Sequence, residues 1–202
     1  MIRVLFVGDG ERDAAMLPAL FQGILGVETR PETRIWKEIR LSSGGGFSKK
    51  LQFSILAARD RKLQGVVATV DRDKAPGRSR LAELKKGRDA DRTKHAPIPT
   101  ALGEAVPHGE AWLLDDAVAV RTVLALPEVI EIPPKEFARH PQKAIEKLIS
   151  ISTRRDERPR EICAEIAKHI EHTRCHTAKE TGFAGFVDDV RAEFREWVPK
   201  GK

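Results

Sequence analysis

The clearest pattern along the chain is an unbroken run of apolar and β-branched residues over 66–70, which leads directly into Asp71 and Asp73. A run of this length, bounded by glycine on one side and by charge on the other, is typical of a strand buried on both faces of a parallel sheet. Residues 2–7 form a similar run, and Asp9 follows it in a glycine-rich turn. The two runs therefore predict two central strands that both end in acidic turns.

Apolar residues at helical spacing predict helices between these strands. The spacing predicts one helix over 14–25, after the first strand, and another over 48–63, before the third strand. Between these helices, the alternation over 35–41 predicts the second strand, and the polar segment 27–34 is expected to be a loop. The first half of the chain thus alternates strands with helices.

The segment after Asp73 is expected to be less regular. A short basic helix over 78–86 and a charged loop over 87–95 precede an extended segment or edge strand within 95–106, where two prolines occur. Glu110 then lies in the first turn of the next helix, where the helix dipole favours a carboxylate. Three amphipathic helices are predicted to complete the chain, over about 141–151, 158–172 and 183–197.

This order of elements predicts an α/β fold, in which helices flank a parallel sheet. We expect residues 1–125 to form the α/β domain and residues 126–202 to form a helical C-terminal extension packed on it. The segment 126–141, which holds four prolines, is expected to link the two. In open sheets of this class, ligands bind just beyond the carboxyl ends of the strands.

Composition narrows the class of protein. With 202 residues the chain can bury a stable hydrophobic core without covalent cross-links. Its two cysteines are too few for a framework of several disulfide bonds. No apolar stretch approaches the roughly 20 residues of a membrane span, and no signal peptide is expected at Met1. These features predict a soluble, cytoplasmic protein without a membrane-bound part.

The net charge of +6 is concentrated in one segment. Residues 72–94 hold nine lysines and arginines but only four acidic residues, and they directly follow the predicted central strand. A basic surface beside carboxylates suits a polyphosphate or nucleic-acid substrate, whereas the simpler alternative is a solvated loop with ordinary surface charge. Four of these residues are candidates for contacting phosphates: Arg72, Lys74, Arg78 and Arg80.

Acidic residues at the ends of the two central strands are the candidate metal ligands. If the first and third strands are neighbours in the sheet, Asp9, Asp71 and Asp73 converge at one edge. Carboxylate oxygens are the donors that hard cations such as Mg²⁺ or Mn²⁺ take in proteins, and such a site supports phosphoryl transfer. The structural alternative is a strand followed by a polar turn, in which aspartate is a favoured residue.

Three acidic motifs, taken in order, resemble those of the toprim superfamily, and most closely its small, stand-alone OLD-like branch. That superfamily has an acidic residue and glycine after the first strand and Asp-x-Asp after a later one, and the likeness covers roughly residues 1–120. The three motifs are Asp9-Gly10-x-x-Asp13, Asp71-x-Asp73 and Glu110-Ala-Trp-Leu-Leu-x-Asp116.

The resemblance implies Mg²⁺-dependent chemistry on the phosphodiester bonds of nucleic acid, as in a nuclease. It implies that Asp71 and Asp73 are metal ligands, that Asp9 is a ligand or the general acid or base, and that Asp13 and Glu110 are further catalytic candidates. It also implies a role in phage defence beside an ATPase partner. The first acid of the toprim pattern is usually glutamate, so the shorter Asp9 departs from that pattern.

Two other functions are compatible with the same residues. A non-catalytic module would use the basic segment to dock nucleic acid or a protein and would keep only a degenerate acidic edge. The turn around Asp9 and Asp13 is also similar to the last acidic motif of haloacid-dehalogenase-like phosphatases. In those proteins, however, that motif follows the Asp-x-Asp motif, whereas here it precedes Asp71 and Asp73.

Overall fold

The computed structural model describes residues 1–41, 44–72, 79–137 and 139–197. Three of the candidate residues, Asp73, Lys74 and Arg78, lie outside these ranges. The described residues form four strands, β1 (Ile2–Gly8), β2 (Thr29–Ile35), β3 (Gly65–Asp71) and β4 (Thr100–Ala105). They also form eight α-helices: α1 (Glu11–Leu25), α2 (Phe47–Asp60), α3 (Arg80–Arg92), α4 (Glu110–Leu114), α5 (Ala117–Leu124), α6 (Pro141–Ser150), α7 (Pro159–His169) and α8 (Phe183–Glu193).

All four strands are parallel, in the order β2-β1-β3-β4, so the predicted α/β class is confirmed. The two strands predicted to be central are the two inner strands, and their side chains are buried almost throughout. Burial on both faces explains why their sequences are continuous apolar runs rather than alternating ones.

Two apolar cores cover the two faces of the sheet. Phe6 and Val67 point into the larger core, which α1 and the helices from α4 to α8 complete. Val7 and Ala68 point to the opposite face, where α2 and α3 cover the smaller core. The helices after residue 125 therefore share one core with α1 on the same face of the sheet. None of the helices that the structure describes is long and apolar enough to cross a membrane.

Carboxylates from α8 cover the outer edge of β4. The Asp189 Oδ2 atom accepts hydrogen bonds from the Leu102 N–H, at 2.7 Å, and from Arg88 Nη1, at 2.8 Å. Glu193 accepts a further bond from the Thr100 N–H, at 3.1 Å. Backbone donors of an edge strand are otherwise a template for aberrant pairing with another chain. These contacts join α3, β4 and α8 into one unit.

The second strand lies earlier than predicted. The expected strand over 35–41 and the expected loop over 27–34 are both wrong, because β2 spans Thr29–Ile35 and a 3₁₀ turn, Trp36–Glu38, follows it. Only the first and last residues of this edge strand are buried, so its sequence carries no alternation. Pro31 within it fits an edge position, where a strand can lack a backbone donor.

The basic helix is longer than predicted, and the charged loop expected over 87–95 is wrong. Helix α3 continues to Arg92 because its far end is anchored: Asp91 is buried and accepts two hydrogen bonds from Arg59 on α2. The helix that begins at Glu110 is also interrupted. Asp116 starts α5 by accepting a hydrogen bond from the Ala119 N–H, at 3.1 Å.

We expect Asp189→Ala to lower the free energy of unfolding by about 2 kcal/mol, because it leaves the Leu102 N–H and part of the Arg88 charge without their acceptor. Chemical denaturation measures this change. The neighbouring Asp188 is exposed, so Asp188→Ala should change stability by less than about 0.5 kcal/mol. Equal losses in the two variants would contradict a specific role for the Asp189 contacts.

Candidate functional site

The register of the two central strands brings their acidic ends together. Val7 of β1 pairs with Ala68 of β3, so the turn that holds Asp9 and the last residue of β3, Asp71, emerge at the same edge of the sheet. The predicted adjacency of the first and third strands is confirmed. This edge is the place where open parallel sheets bind ligands.

Asp13 is brought to this edge by the close approach of α1 to the end of β1. A Cβ atom on Gly8 would lie 2.5 Å from the Ala14 backbone nitrogen and 2.8 Å from the Asp13 Cβ, so only glycine fits there without a shift of α1. The Asp13 Oδ2 atom accepts a hydrogen bond from the Gly10 N–H, at 2.8 Å. Its side chain is therefore fixed in the first turn of the helix.

Burial, the largest cause, and the nearby carboxylates of Asp71, Glu110 and Asp9 together raise the pKa of Asp13 from 3.8 to about 8, against the opposing effect of the Gly10 hydrogen bond. The residue is 8% exposed, so water contributes little screening. Four acidic side chains from three separate parts of the sequence, those of Asp9, Asp13, Asp71 and Glu110, thus affect one another at this edge. We call it the acidic edge of the sheet. Such an accumulation of negative charge is relieved by a proton or by a bound cation.

Asp71 is held by the segment that follows β4. Its Oδ2 atom lies 2.8 Å from His108 Nδ1, and its Oδ1 atom accepts a hydrogen bond from the Gly109 N–H, at 3.2 Å. Burial raises the pKa of Asp71 against the hydrogen bond from His108, and the carboxylates of Asp9 and Glu110 also raise it.

Gly109 forms a point of contact between the buried Asp13 and the half-buried Asp71. While its N–H bonds to Asp71, a Cβ atom on Gly109 would lie 2.1 Å from the Asp13 Oδ1 atom. Any side chain at this position would displace Asp13. The absence of a side chain therefore allows β1, β3 and the segment after β4 to bring their acidic groups together.

Glu110, at the start of α4, is 3% exposed and bonded to Arg12 of α1 at 3.1 Å. Arg12 also bonds to Glu146 of α6, at 2.6 Å. Burial lowers the pKa of the Arg12 guanidinium, but its hydrogen bonds to Glu146 and Glu110 outweigh this effect and raise it. The ion pairs connect the acidic edge to the C-terminal helices.

Asp9 lies nearer to solvent than Asp13 and forms an ion pair with Arg80 of α3, at 3.2 Å. The guanidinium of Arg80 also lies over the Phe47 ring, 5.1 Å from its centre. Arg72, at the end of β3, bonds to Glu104 at 2.7 Å and stays more than half exposed. Phosphate binding by Arg72 and Arg80 remains a prediction.

The chemistry of the donors suits a hard divalent cation, although no ready-made ligand shell is present among the residues described. Asp9 and Asp71 offer carboxylate oxygens of the kind that Mg²⁺ and Mn²⁺ take, and Asp73 follows Asp71 by two residues in the sequence. Within the described ranges, no group of three or more histidine, cysteine, aspartate or glutamate side chains could already hold a metal ion. Metal binding at Asp9 and Asp71 therefore requires Asp73, water or a substrate oxygen as a further ligand.

Sequence reasoning missed His108, Arg12 and Glu146. His108 could have been found from its position, because it follows β4 directly and therefore emerges at the same edge as Asp71. No sequence signal links Arg12 to Glu146, which is 134 residues away. Asp116, the last residue of the third acidic motif, is instead buried as a helix cap, with further bonds from Arg174.

Comparisons with known proteins give little additional information. No protein family model matches the chain, and no curated protein matches it. Among solved structures, the C-terminal region of the Burkholderia pseudomallei OLD protein is similar over 98% of this chain and 100% of that chain, at 12% sequence identity and a TM-score of 0.45. No conclusion about activity follows from a similarity of this size.

The raised pKa of Asp13 predicts a specific dependence of stability on pH. Because its pKa rises from 3.8 to about 8 on folding, the folded chain keeps a proton that the unfolded chain releases, so Asp13 lowers stability progressively as the pH rises between these values. Asp13→Asn, which is neutral at every pH, should be more stable than the wild type by on the order of a few kcal/mol near pH 8.5 and nearly equal to it near pH 4.

Denaturation with EDTA present, repeated across this pH range, tests that expectation. Asp60→Asn at the exposed end of α2 serves as the control for loss of one carboxylate, and its stability should follow the wild-type pH profile. Parallel profiles for Asp13→Asn and the wild type would show that Asp13 is charged in the folded protein at neutral pH.

Proposed function

We propose that the protein carries out Mg²⁺- or Mn²⁺-dependent chemistry on the phosphodiester bonds of nucleic acid, as a nuclease does. The observation that supports this proposal most strongly is the meeting of Asp9, Asp13, Asp71 and Glu110 at one sheet edge, where burial and the neighbouring charges raise the pKa of Asp13. Folding brings these like charges together, which lowers the stability of the folded protein. A bound cation would offset that loss. The motif resemblance to the toprim superfamily supplies the type of reaction.

In this proposal the carboxylates that would hold the cation differ from the buried Asp13, which carries a proton. Asp9, Asp71 and Asp73 would hold the cation, which when bound stabilises negative charge on phosphate oxygens and activates water. His108 and the Gly109 N–H orient Asp71. The Asp13 Oδ2 atom already accepts a hydrogen bond, so near neutral pH the proton of Asp13 belongs on Oδ1, which faces Gly109.

The proposed cellular role and protein partner rest on the resemblance of the motifs alone. On that ground we propose a role in phage defence, beside an ATPase partner that couples nucleotide hydrolysis to the action of this protein. Arg72, Lys74, Arg78 and Arg80 are proposed to contact the phosphates of the nucleic acid, since they follow the acidic edge directly in the sequence.

A second candidate function is a non-catalytic module that binds nucleic acid or a protein. The pairing of Asp9 with Arg80 and the hydrogen bond between Asp71 and His108 favour it, because both carboxylates already have partners within this chain. In such a module the acidic edge would serve to position basic side chains. Binding would then survive the loss of Asp71 but would fall with added salt.

Nicking of supercoiled plasmid in Mg²⁺ or Mn²⁺ tests the proposed activity. We expect metal-dependent nicking by the wild type and a loss of at least about 100-fold in Asp71→Ala/Asp73→Ala, since even the outer-shell partners of metal ligands contribute about 10- to 100-fold. Asp60→Asn is the control and should nick like the wild type.

Two results would contradict the nuclease proposal. Nicking that persists in Asp71→Ala/Asp73→Ala would indicate a contaminant or a different site. Absence of nicking by the wild type, together with plasmid binding that the double variant retains, would favour the non-catalytic module. Hydrolysis of p-nitrophenyl phosphate, measured in parallel, distinguishes the phosphatase alternative.

A further inference from the structure

A cleft of about 580 Å³ opens directly beside Asp13 and Glu110. One wall is the first turn of α1, and the opposite wall is formed by α6 and by the start of α7, from the C-terminal helices. A volume of this size is in the range of ligand-binding clefts. The acidic edge is therefore open to a ligand on the side that the C-terminal helices cover.

Two arginines at the start of α7 face this cleft with weak partners. Arg158 lies 3.9 Å from Glu161 and Arg160 lies 3.7 Å from Glu11, and the four side chains are 44% to 72% exposed. Exposed ion pairs at such distances contribute little to stability. Both guanidinium groups can therefore exchange their present partners for another anion at small cost.

Arg12 is held differently. It lies between buried Glu110 and Glu146, and the Glu146 side chain is 53% exposed at the cleft. A phosphate entering the cleft could replace Glu146 as the outer partner of Arg12 while the bond to Glu110 persists. Glu146 would then compete with the ligand for the same guanidinium.

The cleft continues along the sheet edge. A second cleft of about 400 Å³, which reaches Arg34 at the end of β2, shares Glu11 and Arg160 with the first. The two clefts thus form a track past the acidic edge, and no aromatic side chain is among the described residues that line it. Base stacking uses aromatic side chains, so without them the arginines of this track are left to contact phosphates, a common role of arginine at nucleic acids.

We propose that this cleft binds the phosphate backbone of an unpaired nucleic-acid strand, next to the phosphodiester group at the acidic edge, with Arg158 and Arg160 as its phosphate contacts. The inference rests on the proposed function and names its substrate: a strand end or other single-stranded segment. A flexible single strand can enter a cleft of this volume, whereas a duplex keeps its nucleotides stacked and paired. The C-terminal helices would then supply half of the substrate site.

Fluorescence anisotropy with a labelled 20-nucleotide single strand tests the inference, with Ca²⁺ in place of Mg²⁺ to limit cleavage. We expect Arg158→Ala/Arg160→Ala to weaken binding about tenfold or more. The slope of log affinity against log salt concentration should become shallower by about 1.4, since each phosphate contact to a single strand contributes roughly 0.7. Glu146→Gln should tighten binding several-fold.

Lys168→Ala/Arg191→Ala removes the same charge from exposed positions outside the cleft lining and should leave binding within about twofold of the wild type. Equal weakening in the two double variants, no binding by the wild type, or tighter binding of a blunt duplex than of the single strand would each overturn the inference. Cleavage of the same labelled strand in Mg²⁺ by the same preparations keeps the two proposals distinct, because arginine-dependent binding without cleavage would contradict the nuclease activity alone.

Discussion

The parallel pairing of β1 with β3 is the constraint on which the candidate site depends. It aligns the ends of two almost fully buried strands, so the turn after β1 and the last residue of β3 meet at one edge. The close fit of α1 at Gly8 then fixes Asp13 against that edge, and Gly109 brings the segment after β4 between Asp13 and Asp71. The site therefore depends on the order of the strands in the sheet and on two glycines, Gly8 and Gly109, whose lack of a side chain lets the acidic groups approach one another.

Burying Asp13 and bringing these carboxylates together both oppose folding, and the raised pKa of Asp13 is the sign of that loss of stability. The chain lowers the cost with partners: His108 for Asp71, Arg80 for Asp9 and Arg12 for Glu110. Core packing and the contacts of α8 along β4 supply the stability that maintains the arrangement. Groups held in such an unfavourable electrostatic state are common at functional sites.

The central strands, the fold class and the meeting of the acidic turns could be predicted from sequence because they depend on continuous apolar runs and on a general rule of parallel sheets. The position of β2 could not, since an edge strand buried only at Thr29 and Ile35 has no periodic pattern. The full length of α3 depends on the bond between Arg59 and Asp91, which are distant in sequence. The bond between Arg12 and Glu146, which are 134 residues apart, likewise appears only after folding.

Binding of Mn²⁺, followed by electron paramagnetic resonance of the free ion, tests most directly whether the acidic edge is a divalent cation site. The wild type should bind Mn²⁺ saturably, Asp71→Asn should bind it at least about tenfold more weakly, and Asp60→Asn should match the wild type. The Asn side chain keeps the size of Asp71, so the fold should persist. Equal affinity in Asp71→Asn and the wild type, or no saturable binding by either, would contradict the account.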